Sequence, residues 1–142
     1  MKPSDDEGST LPLIIFFGML SMILVLIVVA ASSLYLERKR LFTLADSAAL
    51  VGAEAFELAA VAPTSGGIRP QLTSGDVRTE VTDFIESTPN RFEALQVERA
   101  ETTDGRSATV SLSSYWRPPV VTLFVPEGIR IEVTSVGRSV FG

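Results

Sequence analysis

The chain has 142 residues, enough for one ordinary domain, and its 17 acidic and 12 basic side chains give a formal net charge of -5. This charge disfavours a general attraction to nucleic acid, so we expect no nucleic-acid partner. The sequence contains neither cysteine nor histidine, which excludes thiolate nucleophiles, sulfur-ligated zinc and histidine-based triads, and we expect a protein that is not an enzyme and needs no metal or cofactor.

The stretch from Leu11 to Leu36 follows an N-terminal flank, residues 1–10, and carries no charge over its 26 positions. At ~1.5 Å per helical residue it exceeds the ~30 Å of bilayer hydrocarbon, which predicts a transmembrane helix over residues 11–36 and the lipid bilayer as a partner. A cleaved secretory signal is the alternative. Such a signal has a basic start and a shorter apolar run, whereas Asp5, Asp6 and Glu7 precede this one.

Residues 37–62 contain no proline, so we expect the helix to continue through them as one rod of about 78 Å. Its apolar face is built largely from alanine and glycine at spacings of three and four residues. This spacing is typical of close helix contacts, and it predicts a face that packs against partner helices, made of Ala45, Ala48, Gly52, Ala55 and Ala59. The alternative is an ordinary amphipathic helix that lies on the chain's own domain.

Residues 63–75 are rich in Pro, Gly, Ser and Thr and are predicted to form a linker. Residues 76–142 are predicted to form a small α+β domain that begins with a short helix. Ser74 or Asp76 is expected to cap this helix. Its apolar face consists of Val77, Val81, Phe84 and Ile85.

After the short helix the hydrophobic period changes from 3.6 to 2, which predicts an antiparallel sheet of three or four strands. Two alternating runs, around residues 95–97 and 108–112, flank Asp104-Gly105 as a turn. A further run covers residues 120–125, and the last alternating run covers residues 129–133. Trp116, the only tryptophan, is predicted to be a packing anchor beneath the sheet.

This plan, in which a long apolar helix runs into an Ala-rich stretch and then a small antiparallel sheet, resembles a type IV pilin or pseudopilin. Three segments, Glu7 to Thr10, Tyr35 to Leu41 and Leu44 to Leu50, resemble the TadE/TadG-like proteins of Flp (Tad) pilus assembly systems, in their short actinobacterial form. The resemblance is strongest over residues 7–60, and residues 118–131 are also similar to the TadE-like C-terminal region. It implies a pilin-like fold and, as partners, other pilin-like or pilus assembly membrane proteins.

The resemblance also implies processing by a prepilin peptidase, which would cut between Gly8 and Ser9. The alternative is that these two residues only cap the membrane helix. Pilins of this broad class usually carry a glutamate at the fifth position after the cut, where this sequence has Leu13. The departure favours a minor or accessory pseudopilin over a bulk filament subunit.

The basic residues beside the span give conflicting evidence on orientation. Lys2 lies on one side and Arg38, Lys39 and Arg40 on the other, which by the positive-inside rule would place the C-terminal domain in the cytoplasm. The resemblance implies the reverse, and we expect a single-pass protein of the cell membrane with its C-terminal domain outside the cytoplasm. A membrane-tethered binding module unrelated to pili is the alternative function.

Overall fold

The computed structural model describes residues 10–61 and 72–138, with the backbone alone for residues 56–61. These residues form a long helix, a short helix and a three-stranded antiparallel sheet, which confirms the predicted α+β class. In chain order the elements are α1 (Thr10–Val61), α2 (Ser74–Ser87), β1 (Glu93–Glu101), β2 (Ser107–Trp116), α3 (Pro119–Thr122) and β3 (Ile129–Arg138).

Helix α1 is continuous over 52 residues, which corresponds to a length of about 78 Å. The predicted continuation past Leu36 is therefore confirmed. The chain changes there from an uncharged run to Glu37 and three basic residues, yet the helix is not interrupted. No proline lies within it after Pro12, whose missing N–H falls in the first turn, where no intrahelical bond is lost.

Helix α2 begins with a capping box rather than with either of the predicted caps alone. Thr73 is the N-cap, and its hydroxyl oxygen accepts a 3.3 Å hydrogen bond from the Asp76 N–H. The Asp76 carboxylate in turn accepts bonds from the Thr73 N–H at 3.3 Å and the Thr73 hydroxyl at 2.6 Å. Ser74 does not cap, since its hydroxyl exchanges two hydrogen bonds with the Thr102 backbone and so joins α2 to the end of β1.

The sheet is a meander of order β1-β2-β3. Strands β2 and β3 pair without interruption from Ser107↔Arg138 to Trp116↔Ile129. Strand β1 pairs less regularly, with two register shifts, and Ala94 has a positive φ of 48° at the first of them.

The predicted turn at Asp104-Gly105 is confirmed. Gly105 has a φ of 67°, which glycine adopts without strain. One Asp104 oxygen accepts hydrogen bonds from the Arg106 N–H, the Ser107 N–H and the Ser107 hydroxyl. These donors, the Arg106 N–H first, hold the pKa of Asp104 well below its usual range.

The run at residues 120–125 is not a strand, so that prediction was wrong. It forms most of the single helical turn α3 and one further turn at residues 123–124. Pro118 is the extended N-cap and Pro119 occupies the first helical turn, so the fixed proline φ starts a helix in spite of the β-branched residues that follow. Gly128, with a φ of 78°, then leads the chain into β3.

The hydrophobic core lies between the sheet on one side and α1 with α2 on the other. Most inward residues of the sheet are valine, leucine or isoleucine, whereas those of α1 are mostly alanine. The fully buried or nearly buried members include Leu41, Ala45, Ala48, Ala49, Ala53, Val77, Val81, Ala108, Val110, Leu112, Ile131 and Val133.

Two glycines mark where α1 comes closest to other elements. A Cβ at Gly137 would overlap the Ala49 carbonyl and stand 2.7 Å from the Leu50 nitrogen, both of which are backbone atoms. A Cβ at Gly52 would meet only side-chain methyls, those of Val81 at 3.1 Å and Ala108 at 3.2 Å among them. Strand β3 therefore lies directly on the α1 backbone, while at Gly52 the neighbouring side chains have some freedom to adjust.

We expect Gly137→Ala to lower the free energy of unfolding by about 2 kcal/mol or more, because the added methyl overlaps backbone that cannot move without separating β3 from α1. Gly52→Ala is the matched control. Its packing cost is offset by the gain of about 1 kcal/mol in helix propensity, so its net effect should stay within about 1 kcal/mol. Thermal unfolding of the full chain in detergent, followed by circular dichroism, measures both, and equal effects would contradict the assigned close approach.

Candidate membrane anchor and packing surfaces

The part of α1 from Leu11 to Val29 is exposed along its whole length. Its large apolar side chains from Leu11 to Val29 are each 40–67% exposed, and none of its most apolar 18-residue window is buried. In water this continuous apolar surface would be strongly unfavourable, and α1 is long and apolar enough to cross a membrane. Its backbone bonds are satisfied within the helix, as hydrocarbon requires. The segment fits a single-pass membrane anchor.

The small domain contacts α1 where the apolar run ends. Trp116, the last residue of β2, is 7% exposed, and its indole N–H donates a 3.2 Å hydrogen bond to the Ser33 hydroxyl. This agrees with the predicted packing role of Trp116. Farther along, the Ser135 hydroxyl donates to the Asp46 carboxylate at 2.9 Å, and Gly137 lies against Ala49. Strand β3 therefore runs beside α1 in the same direction.

The predicted helix-packing face is covered by the chain's own domain. Ala45 and Ala48 are 0% exposed, Ala55 is 8% exposed, and Gly52 is buried against α2 and β2. Ala59 lies among the residues whose side chains are not described. These contacts correspond to the alternative of an amphipathic helix on its own domain, so a partner helix reaches this face only if α1 separates from the sheet. Its role toward partners stays a prediction.

A different line of α1 residues faces away from the domain. Leu36 and Leu50 are 52% and 46% exposed, and Thr43 lies midway between them on the same face. The separation of fourteen residues is two heptads, the period at which side chains repeat along a helix–helix seam. Sequence reasoning missed this line, although the heptad spacing of residues 36, 43 and 50 was available to it.

An open groove runs between α1 and the free edge of β3. Its helix side is formed by Tyr35, Arg38, Lys39 and Phe42, and its strand side by residues 132–134. Two basic side chains therefore line the groove just beyond the end of the apolar run. Basic residues directly after an apolar span are typical of the headgroup level of membrane proteins.

The outer face of the sheet is polar and internally paired. The Glu98 carboxylate accepts hydrogen bonds from the Ser113 hydroxyl and from Arg130, and these two, Ser113 first, lower the pKa of Glu98. Ser111 and Thr134 share a 2.8 Å hydrogen bond between strands. Within residues 10–55 and 72–138, no group of three or more acidic side chains has the arrangement of a metal site.

The structure is that of an α+β protein whose long apolar helix fits a single-pass membrane anchor and continues into the folded domain. Residues 8–55, 48 of the 142, match the family described as "Putative Flp pilus-assembly TadE/G-like". This match confirms the predicted resemblance over the span and the part of α1 on which the domain lies, and it supports a role related to Flp pilus assembly. No curated protein and no solved structure matches the chain. The predicted processing site, Gly8 and Ser9, lies outside the described residues.

We expect Ser33→Ala to destabilise the folded domain by about 1 kcal/mol, because the Trp116 indole N–H loses its acceptor. The only tryptophan of the chain reports directly on this contact, so its emission should shift to longer wavelength as water reaches the indole. Ser32→Ala, an exposed neighbour, is the control and should change neither quantity. If the two variants have the same emission and the same thermal unfolding, the hydrogen bond from Trp116 to Ser33 does not stabilise the domain.

Proposed function

We propose that the chain is a membrane-anchored TadE/TadG-like minor pseudopilin or accessory factor in Flp/Tad-type pilus assembly or secretion, which acts by helix packing and protein–protein interaction. One observation carries the proposal: the segment that matches the family is also the uninterrupted helix that leaves a bare apolar surface for the bilayer. The action is mechanical, since α1 holds the domain at the membrane and offers its own exposed faces to partners.

Within the bilayer, lateral packing of α1 depends on close backbone approach, because lipid tails solvate leucine as well as another helix does. A Cβ at Gly18 would have nothing within 4 Å, so this position is open to a neighbouring helix. Beyond the hydrocarbon, Leu36 and Leu50 are exposed apolar positions of the described part of α1 that face away from the domain. We assign the partner contacts of the folded chain to the Gly18 region within the bilayer and to the face of Leu36 and Leu50 farther along α1.

Leu13 supports an accessory role over that of a bulk subunit. In the resembling pilins a glutamate at this position neutralises the new amino terminus of a neighbouring subunit. Leu13 is 55% exposed on the bare part of α1 and carries no charge, so it cannot pair with an amino group in hydrocarbon, where an unpaired charge is costly. Processing between Gly8 and Ser9 and an extracytoplasmic domain complete the proposal.

We expect the mature protein to begin at Ser9 when it is produced with the pilus peptidase and to keep its first residues when the peptidase gene is deleted. Mass spectrometry of the membrane-extracted protein distinguishes the two forms. A reporter fused after Gly142 should be active only in its extracytoplasmic form. A start at Met1 or Lys2 in both strains, together with a cytoplasmic reporter signal, would favour the simple membrane tether and exclude the pseudopilin.

We expect Leu36→Cys and Leu50→Cys to cross-link to another pilus assembly protein or to a second copy in native membranes, because both positions lie on the exposed seam of α1. The chain has no cysteine of its own, so each variant presents a single thiol. Ala48→Cys, on the buried face, is the control and should remain uncross-linked. Cross-linking of Ala48→Cys in place of the two leucine positions would show that partners use the alanine face.

A further inference from the structure

The connection between β2 and β3 carries the most exposed apolar side chains of the described structure. Leu123 and Phe124 are 79% and 83% exposed, more than any large apolar residue of the membrane span. Val120 and Val125 on either side are 43% and 42% exposed. From Pro118 to Pro126 the sequence holds no charged residue. In a water-soluble domain such a patch would mark an interaction site.

The connection lies at the end of the sheet nearest the apolar run of α1. It leaves β2 at Trp116, which is hydrogen-bonded to Ser33, and enters β3 at Ile129. Ile129 lines a groove with Ala31 and Leu34. The opposite end of β3 lies 18 residues farther along α1, where Gly137 meets Ala49, which is about 27 Å of helix. Strand β2 therefore runs toward the membrane, and the connection follows its last residue.

The length of the apolar run determines the depth in the membrane at which this end of the sheet lies. About 20 helical residues fill the hydrocarbon, so a run that enters at Leu11 reaches the headgroup boundary near residue 31. Ala31 to Leu36 then lie in the interfacial layer, the depth at which tryptophan is enriched in membrane proteins. Trp116 occupies this level, and Arg38 and Lys39 follow directly above it.

The connection is held in a defined shape. Arg117 Nε donates to the Glu127 carbonyl at 3.1 Å and pairs with the Glu93 carboxylate at 3.3 Å, which closes the base of the connection. The Val125 N–H bonds to the Val121 carbonyl at 2.8 Å across the tip. Leu123 and Phe124 are therefore presented by a folded turn, and little conformational freedom remains to be lost when they are buried.

We propose that this connection is a second membrane contact, in which Leu123 and Phe124 enter the acyl–headgroup boundary of the leaflet from which α1 emerges. Its occupant is lipid because the turn lies beside the emerging span and residues 118–126 carry no charge, while Arg38 and Lys39 of α1 lie at headgroup height. Two contacts, one spanning and one interfacial, fix the rotation of the domain about the α1 axis. The inference depends on the membrane anchor and is independent of a role in pili.

The test uses the full chain reconstituted alone into phosphatidylcholine–phosphatidylglycerol vesicles, with a single fluorescent label at Phe124→Cys or Leu123→Cys. The control is Val136→Cys, whose parent residue is 60% exposed near the far end of β3. Nitroxide on the upper acyl chain should quench the labels at 123 and 124 about threefold more than the label at 136. Circular dichroism of each variant establishes that it is folded.

Equal and weak quenching at all three positions would overturn the proposal, since the turn would then lie in water. Labels at 123 and 124 that are open to water in these vesicles but become protected in native membranes would also overturn it, and would identify a protein partner instead. Because no pilus component is present in the vesicles, either result leaves the proposed role in pilus assembly to be decided by its own experiments.

Discussion

The close approach of α1 to the sheet is the constraint on which the rest of the structure depends. Gly137 lies on the backbone of Ala49, and alanines occupy most of the buried helix face. Where Gly137 lies on Ala49 no layer of side chains separates the two, and the core is completed by side chains of the sheet and α2 such as Leu112, Val110 and Val77. The helix that anchors the protein is therefore also the helix that completes its core, and the domain has no separate core of its own among the described residues.

Much of the fold could be predicted from local signals. An uncharged run of 26 residues is long enough to be recognised by length alone, and an unbroken helix-forming sequence predicts that α1 continues beyond it. The Asp104-Gly105 turn was predictable because glycine supplies the positive φ and aspartate the acceptor that the turn needs. In each case the residues from which the element is predicted are the same residues that form it.

The predictions that depended on tertiary context were less complete. Small residues at helical spacing indicate that another element packs closely against α1. They do not indicate whether that element belongs to a partner or to the chain's own sheet. Here it is β3 of the same chain, which lies against α1 at Gly137. The run at residues 120–125 has strand composition, yet Pro118 and Pro119 turn it into a helical turn that carries Leu123 outward. Thr73, with an extended backbone, is the cap of α2, and Ser74 instead bonds to the Thr102 backbone, a contact between distant segments.

The unbroken course of α1 has a consequence for how the domain is held beside the membrane. Between Gly18 and Gly52 the helix contains neither glycine nor proline, the residues at which helices usually bend. We therefore expect α1 to tilt as one stiff rod that pivots where it leaves the membrane. A tilt of about 20°, ordinary for a membrane helix, about the point near Ala31 where α1 leaves the hydrocarbon would displace the far end of the sheet, about 27 Å away, sideways by roughly 9 Å. Small rearrangements among neighbouring helices in the bilayer are thus magnified at the surface that the domain presents.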